Sequence, residues 1–140
     1  ILGICFGHQL LAHIFGARVV RSSMGREIGA CDINLKEQDN SSKLFDGLNN
    51  TFTAYETHED IVIDYEGKLI DLAHNEYGLQ AFSVNGIHYG VQFHPEFNVE
   101  LMDIFIDINQ MDKPIKKEIR NIDIDISSII FTNFFNLVDR

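Results

Sequence analysis

The chain is poor in most features that mark specialised classes of protein. It has two cysteines, Cys5 and Cys31, and neither belongs to a Cys-x-x-Cys pair or a His/Cys cluster. A disulfide scaffold is therefore excluded, no metal site is expected, and a reduced, cytoplasmic chain is. Basic residues are scarce, with 11 Lys and Arg against 21 Asp and Glu and a net charge of −10. That balance argues against a general nucleic-acid or anionic-membrane binder, since both need a basic surface. No apolar run approaches the length of a membrane span. There is no recognisable secretory signal, so the glycosylation-type matches beginning at Asn40 and Asn49 are read as chance. Repeats, low-complexity tracts and a Gly-rich phosphate loop are missing as well. The first residue is not methionine, and the chain opens directly on a strand that reads as buried. A lone strand cannot start a sheet without neighbours, so the sequence is expected to be the C-terminal part of a longer protein.

What remains is ordinary globular material. Hydrophobic residues make up 45% and charged residues 23% of 140 positions, enough for one domain over residues 1–140 with a real core. Residues 1–4 read as a strand and 6–15 as a helix with an apolar stripe of Phe6, Leu10, Leu11, Ile14 and Phe15, stopped by Gly16. Short strands follow at 18–21 and 30–35, with a polar loop over 22–29 between them; Cys31 falls on the apolar face of the second and reads as core. A helical turn is expected within 41–47. Strands are expected at 51–57, 68–73, 79–84 and 87–93. Asn85-Gly86 between the last two is a strong signal for a two-residue hairpin. Helices over 99–110 (Leu101, Met102, Phe105 and Ile106 on one side) and after Pro114 (Ile129, Ile130, Phe134, Leu137) complete the reading.

The run Ile1-Leu2-Gly3-Ile4-Cys5-Phe6-Gly7-His8-Gln9 is the most informative stretch. A strand breaks at a glycine-flanked cysteine and turns into a helix, the spacing of a nucleophile elbow. Gly3 and Gly7 are expected to leave room where helix and sheet pass the cysteine. The helix N-terminus beside it favours thiolate over thiol. The same five residues suit a buried cysteine in a strand-to-helix turn equally well. A thiol nucleophile needs a base, and the base an orienting group. Among six histidines, His94 ends a strand and is followed by Pro95-Glu96. Residues two apart in extended chain project to one side, so Glu96 can grip His94. His58 also lies at a strand end, where ligand loops gather in α/β sheets. His8, His13, His74 and His88 read as packing or surface residues.

Two motifs together, Gly3-Ile4-Cys5-Phe6-Gly7-His8-Gln9 and Gly90-Val91-Gln92-Phe93-His94-Pro95-Glu96, resemble a class I (triad-type) glutamine amidotransferase domain. Thr57-His58-Glu59-Asp60 resembles that family's third signature. The segments Gly25-Arg26-Glu27-Ile28-Gly29 and Tyr77-Gly78-Leu79-Gln80-Ala81-Phe82 resemble its GMP synthase-like stand-alone branch, and plant γ-glutamyl peptidases share much of this look. The resemblance implies an α/β, flavodoxin-like fold, with a central mostly parallel sheet flanked by helices, a small antiparallel portion, and the N-terminal strands absent. It further implies that Cys5 attacks the side-chain amide of glutamine, that His94 serves as acid and base, and that Glu96 holds His94. The Phe6 N–H would be an oxyanion donor, and Gln9 with the loop at His58 and Glu59 would hold the substrate's amino-acid end. Glu59 stands where several relatives carry a small residue. No cofactor is implied; the partners would be the small substrate and a separate ammonia-accepting synthetase. The alternatives are a γ-glutamyl peptidase acting on glutathione-like conjugates, or a non-catalytic binding relative. Because the loop giving the second oxyanion donor is missing, the 140 residues alone are expected to fold poorly or be nearly inactive.

Overall fold

A computed structural model describes residues 1–36, 43–108, 122 and 124–139. The chain runs β1 (Leu2–Ile4), α1 (Phe6–Ile14), β2 (Arg18–Arg21), β3 (Glu27–Leu35), a 3-10 turn (Lys43–Phe45), β4 (Thr51–His58), β5 (Asp60–Ile63), β6 (Ile70–Asn75), β7 (Gly78–Val84), β8 (His88–Val91), α2 (Val99–Ile108) and α3 (Ile126–Val138). Six strands form a mixed sheet in the order β1-β8-β7-β6-β3-β4, and β2 pairs with β5 in a separate antiparallel ribbon. The α/β class and the flanking helices are as expected. Within the described sheet only β1 and β8 run parallel; the other neighbours are antiparallel. Tight turns join β6 to β7 and β7 to β8, and a tight turn can only reverse a strand.

Strand β7 shows why the centre of the sheet is apolar on both sides. Its residues from Leu79 to Val84 are all buried. Ala81 faces the cluster that holds Phe52, Phe93 and Ile130 of α3. Its neighbour Phe82 faces the cluster that holds Leu11 and Ala12 of α1. Alternate residues thus serve opposite faces, with a helix packed on each. Each large apolar side chain so buried stabilises by about 1.5–3 kcal/mol before entropy is counted.

Several boundaries differ from the sequence reading. Strand β3 begins at Glu27, inside the expected loop, and β5 follows β4 after a single residue. The hairpin at Asn85-Gly86 forms with both residues at positive φ (54° and 67°), and the Ile87 N–H donates to the Val84 carbonyl at 3.2 Å. Its loop holds three residues rather than two, since Val84 pairs with His88. On α1 the apolar stripe is corrected. Leu11 is buried, but Phe6, Leu10 and Ile14 are exposed, and the inward face is His8, Gln9, Leu11 and Ala12. Met102 of α2 and Ile130 of α3 are buried as expected, whereas Leu101 is exposed. Residues 41–42, 109–110 and Pro114 lie outside the described set.

Candidate active site

The parallel pair β1–β8 brings the two halves of the site together. Leu2, Gly3 and Ile4 register with Tyr89, Gly90 and Val91, and the Cys5 N–H extends the ladder to the Val91 carbonyl at 2.9 Å. Cys5 then leaves the strand with φ 48° and ψ −103°. A non-glycine residue held there costs about 1–3 kcal/mol and persists only where its surroundings impose it. Gly3 is one reason it can: a Cβ at that position would stand 2.5 Å from the Gly7 carbonyl oxygen. Gly7 is not needed for space, because a Cβ there meets nothing within 4 Å. Gly90 is needed, since its Cβ would strike the Phe82 ring at 2.5 Å and His8 Nδ1 at 2.9 Å.

Past the end of β8, the His94 N–H donates to the Tyr55 carbonyl at 2.8 Å, and Phe97 stacks on the imidazole with centroids 4.5 Å apart. His94 Nδ1 meets Glu96 Oε1 at 2.7 Å. That leaves Nε2 for the sulfur; it is buried and has no formed hydrogen bond of its own. Burial disfavours the imidazolium, but hydrogen bonding and charge from Cys5 and Glu96 outweigh it and push His94 up to about 9. A sulfur, an imidazole and a carboxylate in this order can move a proton between nucleophile and base.

The remaining expected residues divide. Phe6 is exposed, at the first position of α1, where backbone N–H groups have no intrahelical acceptor. Gln9 is buried and donates from Nε2 to the Asp60 carbonyl (3.0 Å) and to Gln92 Oε1 (3.2 Å). The Thr57 carbonyl lies 3.9 Å from Cys5 Sγ, so the third motif reaches the cysteine through its backbone. Its side chains point elsewhere. Glu59 pairs with Arg21 at 2.7 Å and lies 3.9 Å from Arg26. The His58 ring is engaged at both nitrogens, Nδ1 with the Asp60 carbonyl at 3.0 Å and Nε2 with Glu27 Oε2 at 2.9 Å.

His58 belongs to a buried charge cluster that the sequence reading missed. Glu56 Oε2 lies 3.3 Å from the same His58 Nε2, and Glu27 also accepts from Asn75 Nδ2 and from Gln80 Nε2 (3.2 Å). Burial works against the charge of His58, yet the two carboxylates push it up to about 10. Desolvation raises Glu56 to about 7, against the pull of His58. Glu27, Glu56 and His58 lie close enough to hold a metal ion, but an imidazolium between two carboxylates already satisfies that geometry. The signal was in the sequence: Glu27 and Gln80 come from the two further segments that carried the family resemblance. His8 is different. It is fully buried against Phe82, and burial drives it down to about 3 despite the nearby Gly90 backbone, so it is a neutral packing residue.

Comparison with known proteins agrees with this geometry. The family profile "Glutamine amidotransferase class-I" matches residues 1–130. A GMP synthase [glutamine-hydrolyzing] of Clostridium perfringens is 39% identical over 98 residues, covering 69% of this chain and 18% of that one. One of the separately encoded subunits of the same enzyme in Methanococcus vannielii is 38% identical, covering 69% and 50%. Gamma-glutamyl peptidase 5 of Arabidopsis thaliana is 31% identical over 110 residues, covering 76% and 44%. The crystal structure of a glutamine amidotransferase from Thermotoga maritima superposes with a TM-score of 0.68 at 30% identity, covering 97% of this chain and 56% of that one. The chain therefore spans half or less of the curated relatives it matches. With a profile match over most of its length and the family's motifs meeting at one point, the chain belongs to the class-I glutamine amidotransferases.

Proposed function

We propose that this chain carries the glutamine-hydrolysing centre of an amidotransferase, with Cys5 as nucleophile, His94 as acid and base, and Glu96 as the group that orients His94. The observation that carries this reading is the strained Cys5 beside an imidazole that Glu96 holds at 2.7 Å. In the proposed reaction Cys5 Sγ adds to the side-chain amide carbon of glutamine. The oxyanion so formed takes a hydrogen bond from the Phe6 N–H. The C–N bond breaks as His94 gives its proton to the departing ammonia, leaving a γ-glutamyl thioester. Water then gives a proton to His94 and adds to the thioester carbon. The C–S bond breaks, releasing glutamate and Cys5. The backbone of the loop from Thr57 to Asp60 would line the substrate's amino-acid end. The Methanococcus relative is named as one subunit of its enzyme, which supports a separate synthetase as consumer of the ammonia.

A γ-glutamyl peptidase is the second reading, favoured by the Arabidopsis relative. The thioester chemistry is shared, and only the leaving group differs. Ammonia release from glutamine measured beside amine release from γ-glutamyl peptides separates the two. Cys5→Ser should lower both by at least about 1,000-fold. Unchanged turnover in that variant would remove Cys5 from the mechanism.

A further inference from the structure

The Cys5 sulfur has polar neighbours that the proposed triad does not use. Besides His94 it meets the Thr57 carbonyl at 3.9 Å and Gln92 Nε2 at 3.7 Å. These two suit opposite states of the sulfur. A carbonyl only accepts, so it favours the S–H of the thiol. An amide NH2 only donates, so it favours the thiolate.

Which end of an amide faces a neighbour follows from its hydrogen-bond network, and here the network has one direction. It starts at the Asp60 carbonyl, which takes hydrogen bonds from both His58 Nδ1 and Gln9 Nε2 at 3.0 Å. As an acceptor it obliges Gln9 to present its NH2. The second N–H of that group reaches Gln92 Oε1 at 3.2 Å. With its oxygen held by Gln9, Gln92 has only its NH2 to turn toward Cys5. Both glutamines are buried, at 8% and 1% exposure, and the Gln92 backbone is pinned by its N–H to the Gln80 carbonyl at 2.8 Å. Bulk water has little access to either amide, so the polarity set at Asp60 is passed on to the sulfur.

Building on the nucleophile reading above, we propose that Gln92 is the resident hydrogen-bond donor to the Cys5 thiolate and that Gln9 is a positioning residue fixing the direction of the Gln92 amide. Gln9 then serves within the protein rather than at the substrate's amino-acid end, where the family resemblance placed it. A hydrogen bond to an ionised group is stronger than one to a neutral group, so its loss falls mainly on the thiolate.

The test is the rate of Cys5 alkylation by iodoacetamide, followed by peptide mass spectrometry across a pH series with buried Cys31 as internal reference. Gln92→Met keeps the volume and removes the donor. It should alkylate about tenfold more slowly at neutral pH, with the profile displaced upward and the alkaline plateau retained. Gln92→Glu, which sets a carboxylate against the sulfur, should be slower still. Gln9→Met should displace the profile in the same direction by less, and should lower kcat for glutamine with little change in KM. A Gln92→Met profile equal to wild type in a protein that melts normally overturns the proposal; should that variant misfold, equal profiles for Gln92→Glu and Gln9→Met do the same. A raised KM alone in Gln9→Met overturns the positioning role. Wild-type Cys5 that reacts no faster than Cys31 at any pH overturns the nucleophile reading, and this proposal with it.

Discussion

At the scale of single residues, two glycines flank the same cysteine and are not equivalent. Gly3→Ala places a Cβ against backbone that cannot move away, and should cost about 1–3 kcal/mol in denaturant unfolding. Gly7→Ala meets open space within a helix and should be neutral or stabilising by up to about 1 kcal/mol. From the sequence the two look alike, since Gly3-x-Cys5-x-Gly7 is symmetric about the cysteine. Only the crossing of α1 over β1 separates them. His8 makes a second residue-scale case. Its imidazole is driven down to about 3 in the fold, so between pH 6.5 and 3 the unfolded chain binds a proton that the native one refuses. Stability from this group is complete above about 6.5 and declines as pH falls, by at most about 1.4 kcal/mol per unit. His8→Leu should flatten the acid side of a plot of unfolding free energy against pH. An acid limb as steep as wild type would mean that His8 is not the group being protonated.

At the scale of elements, α1 tests how far periodicity can be read. Its apolar residues suggest a stripe through Phe6, Leu10 and Ile14, yet these are exposed and the polar pair His8 and Gln9 is inside. The helix is turned by its first residue: Cys5 must leave β1 at a fixed angle, and Gly90 is open enough to receive His8. Hydrophobicity alone could not foresee that a catalytic turn would set the rotation. Leu10→Glu should change stability by less than about 0.5 kcal/mol, while Leu11→Ala should cost about 2–5 kcal/mol. Equal losses would restore the sequence-based face. The Asn85-Gly86 hairpin was legible because its chemistry is local to the turn. The start of β3 at Glu27 was not, because a polar residue buried by distant partners reads as loop. The same reason hid Glu56. Motif residues fared better: Cys5, His94 and Glu96 stand out in the sequence and lie together, because the side chains in each half of the site are only one to five residues apart. Helix α3 is capped by Asp125, whose carboxylate accepts from the Ser128 N–H at 2.9 Å.

At the scale of the whole molecule, the buried Glu27, Glu56 and His58 cluster joins β3, β4 and, through Asn75 and Gln80, β6 and β7. Both shifted groups bind their proton more tightly in the fold than in the unfolded chain. For Glu56, raised from 4.5 to about 7, stability is lost as pH climbs through that interval. For His58, raised from 6.5 to about 10, the loss continues as pH climbs toward 10. The protein should therefore weaken progressively in alkali. At pH 7, His58→Gln leaves two carboxylates facing each other and should cost about 3–5 kcal/mol. Adding Glu56→Gln should recover part of that loss, and a strictly additive double variant in thermal or denaturant melts would show that the cluster does not act as a unit.

The three-residue ladder between β1 and β8 carries one more consequence. Cys5 and His94 are separated by most of the chain, yet their spacing depends on three parallel rungs, Leu2 on Tyr89, Gly3 on Gly90 and Ile4 on Val91. Everything between is an excursion that leaves this seam and returns to it. Its outlying turns, such as the one at Gly67 with φ 73°, are places where chain can be cut, lengthened or tagged without moving the two reacting groups apart. A slip of one rung would do the opposite, carrying the imidazole about 3.3 Å along the strand and turning alternate side chains to the wrong face. Chemical competence here amounts to a gauge of strand register, and a reactive Cys5 would certify that β1 and β8 have found each other correctly.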